Sequence, residues 1–167
     1  MTPSNVKDVT RGIRIDIPGR EVLHLEHLLL DVNGTIALDG EPLLDVWGRM
    51  QALSGLLEVH VVTADTFGTV TRWAVPWGPI ILDRTAGPED EQKKQTVENL
   101  GRRQAAAVGN GANDALMLKE AALGICVLGP EGAARDAFLA ADVVVANICD
   151  ALDLLLYPRR LVATLRR

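Results

Sequence analysis

Leu28-Leu29-Leu30-Asp31-Val32-Asn33-Gly34-Thr35 joins an unbroken apolar run to a carboxylate and a glycine turn. Three consecutive leucines suit a strand covered on both faces, and such strands belong to parallel sheets. Asp31 follows the run directly and so stands at the strand's carboxyl end. In an open parallel sheet that edge binds ligands, close to the point where strand order reverses.

The flanking sequence alternates in the same spirit. Helical periodicity from about Leu44 to Leu57 is followed by a strand at Val59–Val62, a helix from about Thr66 and a short strand near Ile80-Ile81-Leu82. A polar helix runs from about Pro88 to Leu100, with Gly101 as its stop. Ala105–Val108 is strand-like, Asp114–Ala122 helix-like, and Ile125–Leu128 and Val143–Val145 are strand-like again. Before the leucine run, Ile13-Arg14-Ile15-Asp16-Ile17 alternates with period two, Pro18-Gly19-Arg20 turns, and Val22-Leu23-His24-Leu25 answers it, predicting a β-hairpin. The pattern predicts an α/β fold, a doubly wound and mostly parallel sheet with right-handed crossovers and an N-terminal hairpin. Residues 1–167 are expected to form a single domain, with 1–11 flexible.

Composition removes several classes of function. Of 167 residues, 48% are hydrophobic and 23% charged, with a mean hydropathy of +0.14, as in globular rather than disordered chains. No apolar run approaches the ~18 residues of a membrane span, and MTPSNVKDVTRG lacks a signal-peptide core. Seventeen basic against 22 acidic residues leave a net charge of −5, which disfavours nucleic acid as a partner. Cys126 and Cys149 sit singly in apolar surroundings and read as core residues of a reducing, cytoplasmic compartment. His24, His27 and His60 lack paired ligand spacing and are expected to be structural.

Three polar clusters follow three predicted strands: Asp31-Val32-Asn33-Gly34-Thr35, Thr63-Ala64-Asp65, and Gly109-Asn110-Gly111-Ala112-Asn113-Asp114. Singly, each also reads as a cap or turn. The last lacks the third glycine of a dinucleotide fingerprint and the Gly-Lys-Ser/Thr of a Walker loop. In this order, each at a strand end, the three are expected to converge on one crevice. On the polar helix, Lys93, Val97 and Leu100 share a face, so Lys93 points inward with the apolar stripe while Lys94 lies about 100° round.

With these motifs the chain resembles the haloacid dehalogenase (HAD) superfamily of phosphohydrolases and phosphoryl-transfer enzymes. The segments that carry the resemblance are LLLDVNGTIALDG (28–40), VVTADT (61–66), EQKKQTVENL (91–100) and VGNGANDALMLKEAALGI (108–125). It looks closest to small soluble proteins related to the phosphorylation domain of P-type ATPases. The resemblance implies a Rossmann-like core, with Asp31 as a nucleophile that forms an aspartyl-phosphate. A carboxylate can attack phosphorus only if Mg²⁺ screens two anions from each other, so Mg²⁺ is the implied cofactor. Thr63 and Ala64 beside it, Lys93, and the backbone N–H groups of Val32, Asn33 and Gly34 are expected to hold the phosphoryl group. Asp31, the carbonyl of Asn33, the amide oxygen of Asn110, and Asp114 are expected near the ion.

Two positions depart from the family pattern. The residue two after the nucleophile, usually an aspartate serving as general acid and base, is Asn33. An amide cannot protonate a leaving alkoxide, and that help is worth ~10²–10⁴-fold, so slow turnover of phosphate monoesters is expected. Asn110 stands where a metal-binding aspartate is common, which weakens the hold on Mg²⁺. Only 32 positions separate Asp31 from Thr63 and 30 separate Thr63 from Lys93, leaving no room for a separate cap domain. The site is thus expected to be open, or closed by a neighbouring subunit of a homo-oligomer. Phe67, Trp73, Trp77 and Trp47 are expected in the core, with a subunit contact as the alternative. The expected partner is a small phosphorylated substrate. Retention of Asp31, Thr63, Lys93 and Asp114 favours an enzyme. The two asparagines favour a non-catalytic phosphate-binding or regulatory module, and a receiver domain fits less well because no acidic pair precedes its strand-end aspartate.

Overall fold

A computed structural model describes residues 11–63, 80–84 and 87–167, with 80–84 described by backbone alone. The first ten residues, Ala64, Asp65, the helix expected from Thr66, and Phe67, Trp73 and Trp77 lie outside the described residues.

Six strands form one parallel sheet: β3 (His27–Asp31), β6 (Glu58–Thr63), β7 (Ile80–Arg84), β8 (Ala105–Gly109), β9 (Leu123–Val127) and β10 (Val143–Val145). Their spatial order is β10-β9-β8-β3-β6-β7. The chain therefore starts in the middle, winds outward through β6 and β7, and then crosses β3 to wind the other way. The reversal falls between β3 and β8, as a doubly wound sheet requires. The predicted hairpin is present: β1 (Ile13–Ile15) pairs antiparallel with β2 (Leu23–Leu25), Ile13 opposite Leu25. Its turn places Gly19 at φ +81°, and the C-terminal Arg167 donates its N–H to the Pro18 carbonyl there.

The leucine run is covered on both sides. Leu28 and Leu30 join Val59, Val61, Val108 and Ile125 in the larger apolar cluster. Helix α1 (Val46–Ser54), α5 (Ile148–Leu156), α6 (Pro158–Leu165) and the hairpin close that face. Leu29 points the other way, onto α2 (Glu89–Leu100), α3 (Ala115–Glu120) and α4 (Arg135–Ala140). Cys126 is buried and Cys149 half-buried, both are free thiols, and burial pushes both above the usual thiol range.

Several boundaries differ from the periodicity. Helix α1 starts at Val46, because Leu44 is 86% exposed and Asp45 sits at φ +65°. A two-stranded ribbon, β4 (Ala37–Leu38) with β5 (Glu41–Pro42), fills the stretch after Asp31. Ala112–Asp114 is a 3₁₀ turn ahead of α3, since Asp114 turns its carboxylate back to the loop. Strand β9 begins at Leu123, two residues early, and Leu128 is exposed beyond it. Six-residue α4 has too few turns to show a period. Among the described residues, no helix is long and apolar enough to cross a membrane.

Candidate active site

Sheet order brings the polar clusters together. Asp31 ends β3, and its neighbours β6 and β8 end in Thr63 and in Gly109 followed by Asn110. All three sit at the carboxyl edge flanking the switch in strand order, where strand ends splay and leave a crevice. Asp31, Thr63, Asn110 and Asp114 are all buried, at 7, 4, 6 and 0% exposure.

Lys93 enters the crevice from α2. Its position on the Val97 stripe makes it fully buried, whereas Lys94 stays at the surface beside Glu98. The Lys93 Nζ donates to Asp31 Oδ1 at 2.7 Å and to Asp114 Oδ1 at 2.8 Å. Glu89, one helical turn earlier, lies 3.2 Å from the same nitrogen. Three glutamate and aspartate residues lead the first turn of α2, where the helix dipole favours negative charge.

Asp114 organises the third cluster. Its Oδ2 accepts the backbone N–H groups of Asn110 (3.0 Å) and Gly111 (2.9 Å), while its Oδ1 takes Lys93. Both oxygens are thus engaged by the protein. The Asn110 side chain is oriented at both ends: Nδ2 donates to the Gly132 carbonyl at 3.0 Å, and Oδ1 accepts from Thr35 Oγ1 at 3.3 Å. Thr35 Oγ1 also reaches Asp31 Oδ2 at 3.2 Å.

Burial raises Asp31 to about 7, Asp114 adds to the effect, and Lys93 and the Val32 backbone N–H oppose it. Burial pulls Lys93 down, but Asp31 and Asp114 outweigh it and hold the ammonium above the usual lysine range. The pair is an ionised lysine shared by two crowded carboxylates.

These residues suit a hard divalent cation. One lysine faces Asp31, Asp114 and Glu89, so the crevice carries excess negative charge. The Thr35 hydroxyl has one proton for two acceptors, Asp31 Oδ2 and Asn110 Oδ1, so one of these buried oxygens always lacks it. Clustered carboxylate and amide oxygens are the donors that Mg²⁺ takes.

Gly34 shows how tightly the loops approach. Its φ is +77°, and a Cβ there would lie 2.5 Å from both Asn110 Nδ2 and Glu131 Oε2. Gly34 donates its N–H to the Ala37 carbonyl at 2.8 Å, so that amide is engaged within the loop. Asn33 is exposed at the mouth. Gly109, too, admits Asp114 only because it has no Cβ, which would lie 2.5 Å from Asp114 Cγ.

The sequence alone assigns no role to Thr35, Glu89 or Glu131. Thr35 lies four residues after Asp31 in the same turn, and Glu89 is one turn before Lys93, a spacing that pairs them. Glu131 had no signal, since only folding brings its loop over Gly34.

No protein-family model matches the chain. It is 49% identical over 84 residues to the uncharacterized protein MJ0073 of Methanocaldococcus jannaschii, a match spanning 48% of this chain and 90% of that protein. Among solved structures, it is similar to the 3-deoxy-D-manno-octulosonate 8-phosphate phosphatase from Moraxella catarrhalis in complex with magnesium, phosphate and KDO. That match has a TM-score of 0.65 at 17% identity, covering 85% of this chain and 94% of the phosphatase. A protein of Legionella pneumophila described as a HAD-superfamily (subfamily III A) hydrolase matches with a TM-score of 0.64 at 14% identity, over 84% of this chain and 87% of that one. A zinc-transporting PIB-type ATPase in its E2.Pi state matches with a TM-score of 0.58 at 26% identity, over 73% of this chain but 20% of the ATPase. The chain belongs to the family that includes MJ0073, and its fold is that of the HAD-superfamily phosphatases.

Proposed function

We propose that the protein is a Mg²⁺-dependent phosphohydrolase that works through an aspartyl-phosphate on Asp31. The observation that carries this reading is the Asp31 carboxylate at a parallel strand end, 2.7 Å from a fully buried Lys93 that is itself fixed by Asp114. A nucleophile for phosphorus needs a fixed direction and a nearby cation, and this arrangement supplies both. Asp31 Oδ1 is held by Lys93, which leaves Oδ2, on the Thr35 side, as the attacking oxygen. Lys93 then neutralises charge on the transferring group, assisted by the Thr63 hydroxyl and the amides of Val32, Asn33 and Ala64. Mg²⁺, held by Asp31, the Asn110 amide oxygen and the Asn33 carbonyl, would screen the two anions and stabilise charge on the phosphoryl oxygens. Asp114 fixes both Lys93 and the loop that carries Asn110.

Asn33 sits where a general acid is needed and has no proton to give to a leaving alkoxide. Substrates whose leaving groups depart unprotonated are favoured: acyl phosphates, phosphoanhydrides and aryl phosphates. The resemblance to P-type ATPase phosphorylation domains supports the same chemistry, in which an aspartyl-phosphate forms without a second aspartate. A small phosphorylated substrate in the cytoplasm is the partner this reading calls for. Steady-state hydrolysis with saturating Mg²⁺ tests it: aryl and acyl phosphates should turn over at least tenfold faster than alkyl monoesters. Asn33 and Asn110 favour a second reading, a phosphate-binding regulatory module. That reading is the better one if the purified protein binds phosphate with Mg²⁺ but hydrolyses none of these substrates.

A further inference from the structure

His27, Glu58 and His60 form a cluster at the amino end of the sheet, opposite the Asp31 crevice. The strand register builds it. His27 opens β3 and lies directly opposite Glu58 on β6, while His60 is two residues on and returns to the same face. The ligating atoms converge: His60 Nε2 lies 3.0 Å from Glu58 Oε1 and 3.4 Å from His27 Nδ1, and His27 Nδ1 lies 3.8 Å from Glu58 Oε1. Among the described residues this is the one group of three or more histidine, cysteine or acidic side chains whose ligand atoms gather within 4.8 Å.

The triangle has the dimensions of a metal site. Bonds of ~2.0–2.1 Å in a tetrahedral zinc site put neighbouring ligand atoms about 3.3–3.4 Å apart, inside the observed range. Two imidazole nitrogens and one carboxylate oxygen are a borderline-soft donor set, suited to zinc-class ions rather than Mg²⁺. His60 Nε2 lies within reach of both Glu58 Oε1 and His27 Nδ1, so the three ligand atoms are already gathered around it. A divalent ion would engage all three at once. Entry is open from solvent, because the Glu58 side chain is 39% exposed and that of His27 16%, while His60 at 3% anchors the site from below.

We propose that His27, Glu58 and His60 bind one zinc-class divalent ion, which ties the start of β3 to β6. A fourth position faces solvent and takes water. Four residues of strand, roughly 13 Å, separate this site from Asp31, so it is distinct from the phosphohydrolase reading and independent of it. Spacing along one element could not reveal it, because the ligands come from two strands joined only by register.

The test is calorimetric titration of the metal-stripped 167-residue protein with Zn²⁺ alone. One equivalent should bind with micromolar or tighter affinity and raise the melting temperature. Asp31→Asn should keep that equivalent, whereas His27→Gln and the surface change Glu58→Gln should each weaken it at least tenfold. Co²⁺ should give the intense visible bands of a four-coordinate site, lost in His27→Gln. The proposal is overturned if the wild-type protein takes up no Zn²⁺. It is equally overturned if the bound equivalent survives in Glu58→Gln and His27→Gln but disappears in Asp31→Asn.

Discussion

Strand β3 carries a polar residue at each end of one face, His27 at its start and Asp31 at its finish, with buried Leu29 between them. The two ends are built on opposite electrostatic terms. At the carboxyl end, loops from β3 and β8 and the helix α2 enclose Asp31, Asp114 and Lys93, so charge is compensated by a fixed partner. At the amino end Glu58 is more than one-third exposed, and water shares in solvating the cluster. Burial makes the first end depend on every partner; exposure makes the second tolerant until an ion is bound. The sheet's geometry explains the asymmetry, since the crevice at the switch point exists only at the carboxyl ends.

The contrast predicts a graded series. Lys93→Ala should destabilise the protein by about 3–5 kcal/mol in urea denaturation, because two buried carboxylates lose their cation. Lys94→Ala, which removes a surface contact to Glu98, should stay within about 0.5 kcal/mol. Equal losses would show that the buried triad contributes no more than a surface ion pair. Gly34→Ala should cost about 1–3 kcal/mol, from its positive φ and the crowding by Asn110 and Glu131. Asn33→Asp should raise turnover of alkyl phosphate monoesters at least tenfold, about 1.4 kcal/mol of barrier. At the exposed end, Glu58→Gln in the metal-free protein should change stability by less than about 1 kcal/mol.

Asp31 also predicts a pH signature for the metal-free protein. Its carboxyl is raised from 3.8 to about 7 by burial and Asp114, so the folded state holds this proton more tightly than the unfolded state. The resulting stabilisation is complete below the unfolded value and is lost as pH rises through about 7. Stability of the wild type relative to Asp31→Asn should therefore fall across that window in paired denaturation curves. A flat difference would mean that Lys93 fully offsets the burial.

Much of the fold was legible because the strong signals were local. The unbroken Leu28–Leu30 run, the Ile13–Ile17 alternation and the stripe of Lys93 with Val97 each report burial through their own spacing. The ribbon after Asp31 and helix α4 were not legible, since two-residue strands and a six-residue helix are shorter than the periods that would reveal them. In the site, Asp31 and Asp114 stand in motifs that follow strands, and Lys93 is placed by its stripe on the polar helix. Thr35 as a shared donor, Glu131 over Gly34, and the His27–Glu58–His60 triangle depend on loop closure and strand register, which no single stretch of sequence encodes.

On the proposed mechanism, one carboxylate at the guarded end of β3 carries a covalent phosphoryl intermediate. Incubation of the purified protein with radiolabelled acetyl phosphate, with and without Mg²⁺, tests it directly. An acid-stable, hydroxylamine-labile label that requires Mg²⁺ and is absent from Asp31→Asn is expected. Label that persists in Asp31→Asn, or no label in the wild type at saturating Mg²⁺, would contradict it.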